Sequence, residues 1–285
     1  MTPLRQQMID AMQQRGFSDR THETYLAAVR NLAKYYHKPP DEIQLEQIQE
    51  YFVYLVQQRG VSGSSCLLYL NALRFLYLQV LHWDHFDVPI HYPKRAEKIP
   101  ELLTRQEVKQ ILDACINRKH RMMLTICYGC GLRVSELVAI KIRHIDGERH
   151  LLRVEQGKGG KDRAVILSAT VLDQLRQYWI RYRPVLWLFP SAGRPSQHLT
   201  LATAQKAFKK AKTITGIEKI GGIHSLRHAY ATHQLENGLP VHKLQQQLGH
   251  RGLQSTLRYL HWVPTYQQGQ TVFSDLVARL EVGHD

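Results

Sequence analysis

Residues 224–262, HSLRHAYATHQLENGLPVHKLQQQLGHRGLQSTLRYLHW, hold two imidazoles, a guanidinium and a phenol at His224, Arg227, His250 and Tyr259. Such groups can grip a phosphodiester and attack it. Moving a phosphoryl group onto a side chain needs a nucleophile for phosphorus, cationic donors for the non-bridging oxygens and an acid for the departing oxygen. The chain offers a residue for each role. Tyr259 is the candidate nucleophile, and a phenol, with a pKa of about 10, must lose its proton to a base or to a cationic neighbourhood. Arg133 in GLRVSEL and Arg227 carry permanent charge on forked donors that match phosphate geometry. Lys158, in the glycine-rich QGKGGKDR, can reach from a turn into a groove and protonate a leaving oxygen, with Lys161 on the same turn as its rival. His224 and His250 suit phosphate hydrogen bonding and acid–base assistance.

Each residue also has a plainer reading. Tyr259 is one of 14 tyrosines and fits a half-buried helix aromatic. Either arginine alone fits a surface ion pair, and the lysines fit a solvated turn that matches a phosphate-binding loop only loosely, since a strand pattern and not a helix follows. His224 and His228 stand four apart, a spacing that zinc uses, but the motif lacks the glutamate and third ligand that would complete a site. CYGC, with Cys127 and Cys130, lies in the apolar run MMLTICYGCGL with no second pair, which favours buried helix thiols over metal or redox work. No metal and no cofactor is expected.

The elements that must position these residues show in the periodicity. The 285 residues suffice for two domains. Over the first part, THETYLAAVRNLAKYYH sets Tyr25, Val29, Leu32 and Tyr36 at helical spacing, QLEQIQEYFVYLVQQRG ends at a glycine, and SSCLLYLNALRFLYLQVLHW is apolar around most of its circumference. With the first dozen residues these form a bundle of about four helices. Prolines 89, 93 and 100 break the pattern and mark a linker over residues 85–100, with Lys94, Arg95 and Lys98 clustered in it. Thr104 and Glu107 in TRQE form a capping box that starts the next helix. An apolar helix over HRMMLTICYGC ends at Gly129 or Gly131, RVSELVAI restarts one, and HLLRVEQGKGGKDRAVILS reads as a hairpin. Helices follow near residues 170–181 and 200–212, with two more across 225–248. The fold class is mainly α with a small antiparallel β-sheet.

The net charge of +14 points to a polyanionic partner, and its distribution is uneven. Residues 1–95 carry 10 Lys and Arg against 9 Asp and Glu, while residues 96–285 carry 28 against 15. The basic surface belongs to the second part. No run approaches the length of a membrane span and the N-terminus lacks an apolar signal core, so a cytoplasmic location is expected.

GLRVSEL, GKGGKDR, HSLRHAYATH, LGH and a tyrosine nine residues beyond that histidine, in this order, resemble the motifs of the tyrosine recombinases, or phage integrase family. The resemblance covers nearly the whole chain. It implies a helical, SAM-like core-binding domain over residues 1–84, a linker over 85–100 and a catalytic domain over 101–285 that ends in a tail helix. It makes Arg133 and Arg227 the phosphate-binding arginines, Lys158 the general acid, His224 an assistant in proton transfer, His250 a hydrogen-bond partner of the scissile phosphate, and Tyr259 the residue that forms a 3′-phosphotyrosyl link. It also implies double-stranded DNA recombination sites as partners, two domains closing around the duplex, a homodimer on each site and a homotetramer in the synapse, with accessory proteins as a further partner class in a bacterial, nucleoid-associated setting. SDRTHETY and YLNALRFLYLQ are the helices that the resemblance lays across a groove. The apolar stripe Val272, Phe273, Leu276, Val277 and Leu280 must pack on its own domain or a neighbour, and the resemblance favours exchange onto the next protomer.

Three rivals share some of these features. A type IB topoisomerase uses similar chemistry to relax DNA, a DNA-binding regulatory or architectural protein needs the charge but not the six residues, and a metal-dependent nuclease needs a carboxylate cluster that the sequence does not show. Within the family, the size fits Xer-type resolvases and the small recombinases of transposons and integrons alike.

Overall fold

A computed structural model of the chain describes residues 2–89, 100–155, 162–263 and 276–281. The chain divides into two compact units, Met1–Lys98 and Ile99–Asp285. No helix among the described residues is long and apolar enough to cross a membrane.

The first unit is a helical bundle. Helices α1 (Pro3–Gln14), α2 (Asp19–Tyr36), α3 (Leu45–Gln57) and α4 (Gly63–Arg74) enclose Met8, Met12, Leu32, Ile48, Phe52, Cys66 and Leu73. Ser18 and Ser62 cap α2 and α4 by accepting from the Thr21 and Ser65 amides, which satisfies donors that a helix start leaves orphaned. Of the periodic set in α2, Val29 and Leu32 are buried, Tyr25 packs beside Phe17 and Phe75, and the Tyr36 hydroxyl donates to the Gln47 carbonyl at 2.6 Å. The apolar stretch continues beyond α4 as a π-helical segment over Phe75–Val80 that buries Phe75, Leu76 and Tyr77. Phe86 and Val88 are buried against the same core.

The second unit is mainly helical around one small sheet. Thr104 and Glu107 form the reciprocal cap of α5 (Arg105–Asp113), with the two backbone amides 2.7 and 3.1 Å from the side-chain oxygens. Helix α6 (Arg118–Gly129), capped by Asn117, is buried from Met122 onward, with Cys127 inside it and Cys130 at its end. All four cysteines are buried thiols, and burial pushes the Cys127 thiol up to about 12. After α7 (Val134–Val138), strands β1 (Ile145–Asp146), β2 (Leu151–Val154) and β3 (Arg163–Ile166) form an antiparallel meander in which Leu152 faces Val165 and Val154 faces Arg163. The glycine-rich turn of the hairpin, with Lys158 and Lys161, lies outside the described residues. Strand β1 carries no sequence signal, because two residues are too few to show alternation.

Helices α8 (Ala169–Tyr182) and α9 (Leu201–Ile214) are capped by Ser168 and Thr200 and pack on α6. Helix α10 (His224–Glu236) runs through the middle of the unit, buried almost continuously from Leu226 to Leu235, and touches α5, α6, α11 (Val241–Leu248) and α12 (Gln254–His261). The short α13 (Ala278–Glu281) lies on α5. Of the apolar tail stripe, Leu276, Val277 and Leu280 are buried in this unit's own core, while Val272 and Phe273 lie outside the described residues.

Candidate active site

Two tight turns aim the site. Gly131, at φ +59°, turns the chain from α6 to α7, and a Cβ there would lie 2.3 Å from the buried Tyr230 ring. Only glycine fits. The turn sets Arg133 at the start of α7 and points the Gly131 carbonyl at Arg227, whose Nη1 donates to it at 2.7 Å. Gly249, at φ +61°, ends α11, and its Cβ would lie 2.8 Å from the Arg163 side chain. Gly131→Ala is expected to destabilise the chain by about 2–5 kcal/mol, from left-handed backbone strain of roughly 1–2 and overpacking of about 1–3. Urea unfolding checks this, and a loss under 1 kcal/mol would contradict the packing.

Glu136 is the hub. Its carboxylate accepts both terminal nitrogens of Arg163 at 2.8 Å, Arg133 Nη1 at 2.8 Å and the Arg133 amide at 2.9 Å. The Arg227 Nη1 stands 3.9 Å away. Burial alone would raise its pKa, but the hydrogen bonds and charge of Arg163, with those of Arg133, outweigh burial and hold it at about 2. Arg163 also donates to the Gln247 carbonyl at 3.0 Å, which ties β3 to α11.

Arg133 reaches across to the Gly249 carbonyl at 3.2 Å and keeps 21% of its side chain exposed. Arg227 is 1% exposed; Nη2 donates to the Leu248 carbonyl at 2.6 Å and lies 3.0 Å from His250 Nε2. Burial and the nearby Arg133 charge lower its pKa to about 10. A guanidinium only donates, so His250 accepts at Nε2 and its remaining proton sits on Nδ1, 2.7 Å from the Thr256 hydroxyl. Burial, then Arg227 and the other arginines, push His250 down to about 3, so it is neutral.

Tyr259, on α12, is 2% exposed. Its ring lies parallel to His250, with centroids 6.4 Å apart, and edge-on to Trp262 at 5.1 Å. Burial raises its pKa against the opposing charges of Arg227, Arg258 and Arg133. The hydroxyl meets His228 Nδ1 at 3.0 Å. His224 is exposed at the start of α10, its ring edge-to-face with His228 at 4.9 Å. Loss of water on the side of the ring that packs against the protein, then the charges of Arg227 and Arg133, lower its pKa. The loop before it is clasped by Lys219, which donates to the Leu102 carbonyl at 2.7 Å and to Glu107 at 2.6 Å.

Arg133, His224, Arg227, His250 and Tyr259 thus come together from four places in the chain, and Lys158 lies outside the described residues. The sequence alone singles out none of Glu136, Arg163 and Thr256. Glu136 and Arg163 stand inside GLRVSEL and GKGGKDR, but their contacts span 27 and 84 positions. In sequence, His228 reads only as half of a zinc pair, whereas its Nδ1 meets the Tyr259 hydroxyl across 31 positions. Among the described residues, no group of three His, Cys, Asp or Glu side chains gathers to hold a metal.

The same fold occurs in a lambda integrase solved as a tetramer bound to a Holliday junction, which aligns with a TM-score of 0.72 and 19% identity over 88% of this chain and 74% of that one. That likeness is one of fold. Residues 101–265 match the phage integrase family, and residues 4–85 match the phage integrase N-terminal SAM-like domain. A putative integrase/recombinase of Sinorhizobium fredii is 42% identical over 263 residues, 91% of this chain and 84% of that protein. The tyrosine recombinase XerA of Pyrococcus horikoshii is 33% identical over 211 residues, 73% of each. This chain belongs to the phage integrase family, that of the tyrosine recombinases.

Proposed function

We propose that this chain is a site-specific DNA recombinase that cuts and rejoins strands through a 3′-phosphotyrosyl link on Tyr259. The observation that carries the reading is one phenol buried against His228 and His250, with Arg227 and Arg133 beside them. In the reaction, Arg133 and Arg227 hold the non-bridging oxygens, His250 turns from Arg227 to the phosphate, Tyr259 attacks phosphorus, and Lys158 protonates the 5′-oxygen that leaves. His224, at the surface, assists proton transfer. The ester retains the energy of the broken bond, so a new 5′-hydroxyl rejoins the strand without metal or nucleotide. Glu136 neutralises one of three arginine charges, and the surplus suits a phosphodiester anion.

The first unit serves as the core-binding domain, and the basic second part of the chain supplies phosphate contacts to the duplex. Two copies bind each site and four form the synapse in the cytoplasm, with the tail stripe of one copy exchanging the contacts of Leu276, Val277 and Leu280 onto the next. Integration, excision and resolution of a mobile element all follow from this chemistry.

The test is a trapping assay in EDTA on nicked duplexes drawn from DNA flanking the chain's own gene. Wild type is expected to give a protein–DNA band that survives denaturation. Bound DNA with no such band on any site would favour a regulatory DNA-binding protein instead.

A further inference from the structure

We propose that His228 is the general base for Tyr259: its Nδ1 takes the phenolic proton as the oxygen attacks phosphorus. The inference rests on the phosphotyrosyl reading and adds a catalytic residue that the motif alone left without a role.

Geometry carries it. The Tyr259 hydroxyl is shut off from solvent, and its hydrogen-bond partner among the described residues is His228 Nδ1 at 3.0 Å. A buried phenol donor must find an acceptor, so the Nδ1 lone pair faces the hydroxyl and the ring carries its proton on Nε2. His250 cannot play this part while Nε2 accepts from Arg227 and Nδ1 points to Thr256. His224 meets the His228 ring and not the phenol. Helix α10 therefore presents His228, one residue beyond Arg227, as the acceptor already in place.

The groups facing His228 fit the role. From its own helix these are His224 and Arg227; from α12 they are Arg258 and Tyr259, with the Trp262 ring edge-on at 5.8 Å. Burial first, then His224, Arg227 and Arg258, lower its pKa to about 4, which keeps the lone pair available at neutral pH. So weak a base does not strip the phenol in advance. It accepts the proton as the new bond forms, when a phosphodiester anion between Arg133 and Arg227 offsets the cations that depress it.

The step balances. The Tyr259 oxygen bonds to phosphorus, the bond from phosphorus to the 5′-oxygen breaks, the phenolic proton moves to His228, and the general acid supplies one proton to the 5′-oxygen. In rejoining, the acid reclaims a proton from the attacking 5′-hydroxyl and His228 returns its own to Tyr259.

The test measures single-turnover cleavage of a prebound nicked duplex by wild type, His228→Asn and His228→Ala. Asparagine keeps an acceptor near Nδ1 but cannot take a proton. Both variants are expected to bind the duplex as wild type does and to cleave about 10²–10³-fold more slowly. Their rates are expected to climb about tenfold per pH unit between pH 7 and 9, as hydroxide makes the phenolate, while wild type stays flat. A substrate with sulfur in place of the bridging 5′-oxygen, whose leaving group needs no acid, is expected to restore Lys158→Ala but not His228→Asn. A His228→Asn rate within threefold of wild type, or its rescue by the sulfur substrate, overturns the assignment. Absence of any adduct from wild type overturns the phosphotyrosyl reading itself, a result distinct from equal adducts in wild type and variant.

Discussion

Tyr259→Phe is expected to leave a folded protein that binds its duplex and forms no covalent adduct, a loss of more than about 10⁴-fold. The substitution removes one oxygen. The ring keeps its packing against Trp262 and beside His250, so the core around α12 survives. What is lost in stability is one hydrogen bond to His228, about 1 kcal/mol. A missing adduct therefore reports chemistry and not unfolding. Other phenols in this unit are poor substitutes: Tyr230 is buried in the core with its pKa driven far up by desolvation, and Tyr128 is hydrogen-bonded to His233 at 2.9 Å. The trapping gel on matched nicked duplexes reads the outcome. A band that persists in Tyr259→Phe would sink the assignment and direct attention to Tyr266.

Much of the scaffold is legible along the chain because its signals are local. The period of Val29 and Leu32 marks the buried face of α2, Thr104 and Glu107 announce α5, and the glycines after Cys127 end α6 where the left-handed turn at Gly131 requires one. The hairpin follows from β-rich runs on either side of a glycine turn. Strand β1 and the π-helical segment after Arg74 escape, since the first is too short to alternate and the second differs from an α-helix in hydrogen-bond register alone. In the site, residue types and order suffice to nominate Arg133, Arg227, His250 and Tyr259. The closed state of the site is not legible. That Arg227 and Tyr259 are buried, and that His250 spends its acceptor on Arg227, depends on α10, α11 and α12 meeting in space. On the proposed phosphotyrosyl reading, bringing in a phosphodiester requires Arg227 and Tyr259 to be uncovered, which would tie cleavage to DNA engagement.

Glu136→Gln is expected to destabilise the chain by about 3 kcal/mol at pH 7 and to slow cleavage at least tenfold through Arg133. The carboxylate stands among Arg163, Arg133 and Arg227, with 4% of its side chain exposed, so a neutral amide leaves three cations facing one another out of bulk water. Linkage supplies the magnitude independently. A pKa held at about 2 against an ordinary 4.5 corresponds to about 3 kcal/mol favouring the folded state when the group is charged. Because the folded value is the depressed one, that stability is fully present above pH 4.5 and drains away as the pH falls toward 2. Wild type and Glu136→Gln should therefore differ most in urea midpoint near neutrality and converge in acid, while Glu136→Asp, too short to reach both Arg163 nitrogens and Arg133 together, should lie between them. Parallel pH dependences, or a difference below 1 kcal/mol at pH 7, would show that the arginines find compensation elsewhere. Since the same carboxylate fixes Arg133 toward the Gly249 carbonyl, beside the residue that hands its lone pair to Arg227, the stability and cleavage defects should appear together across the variants.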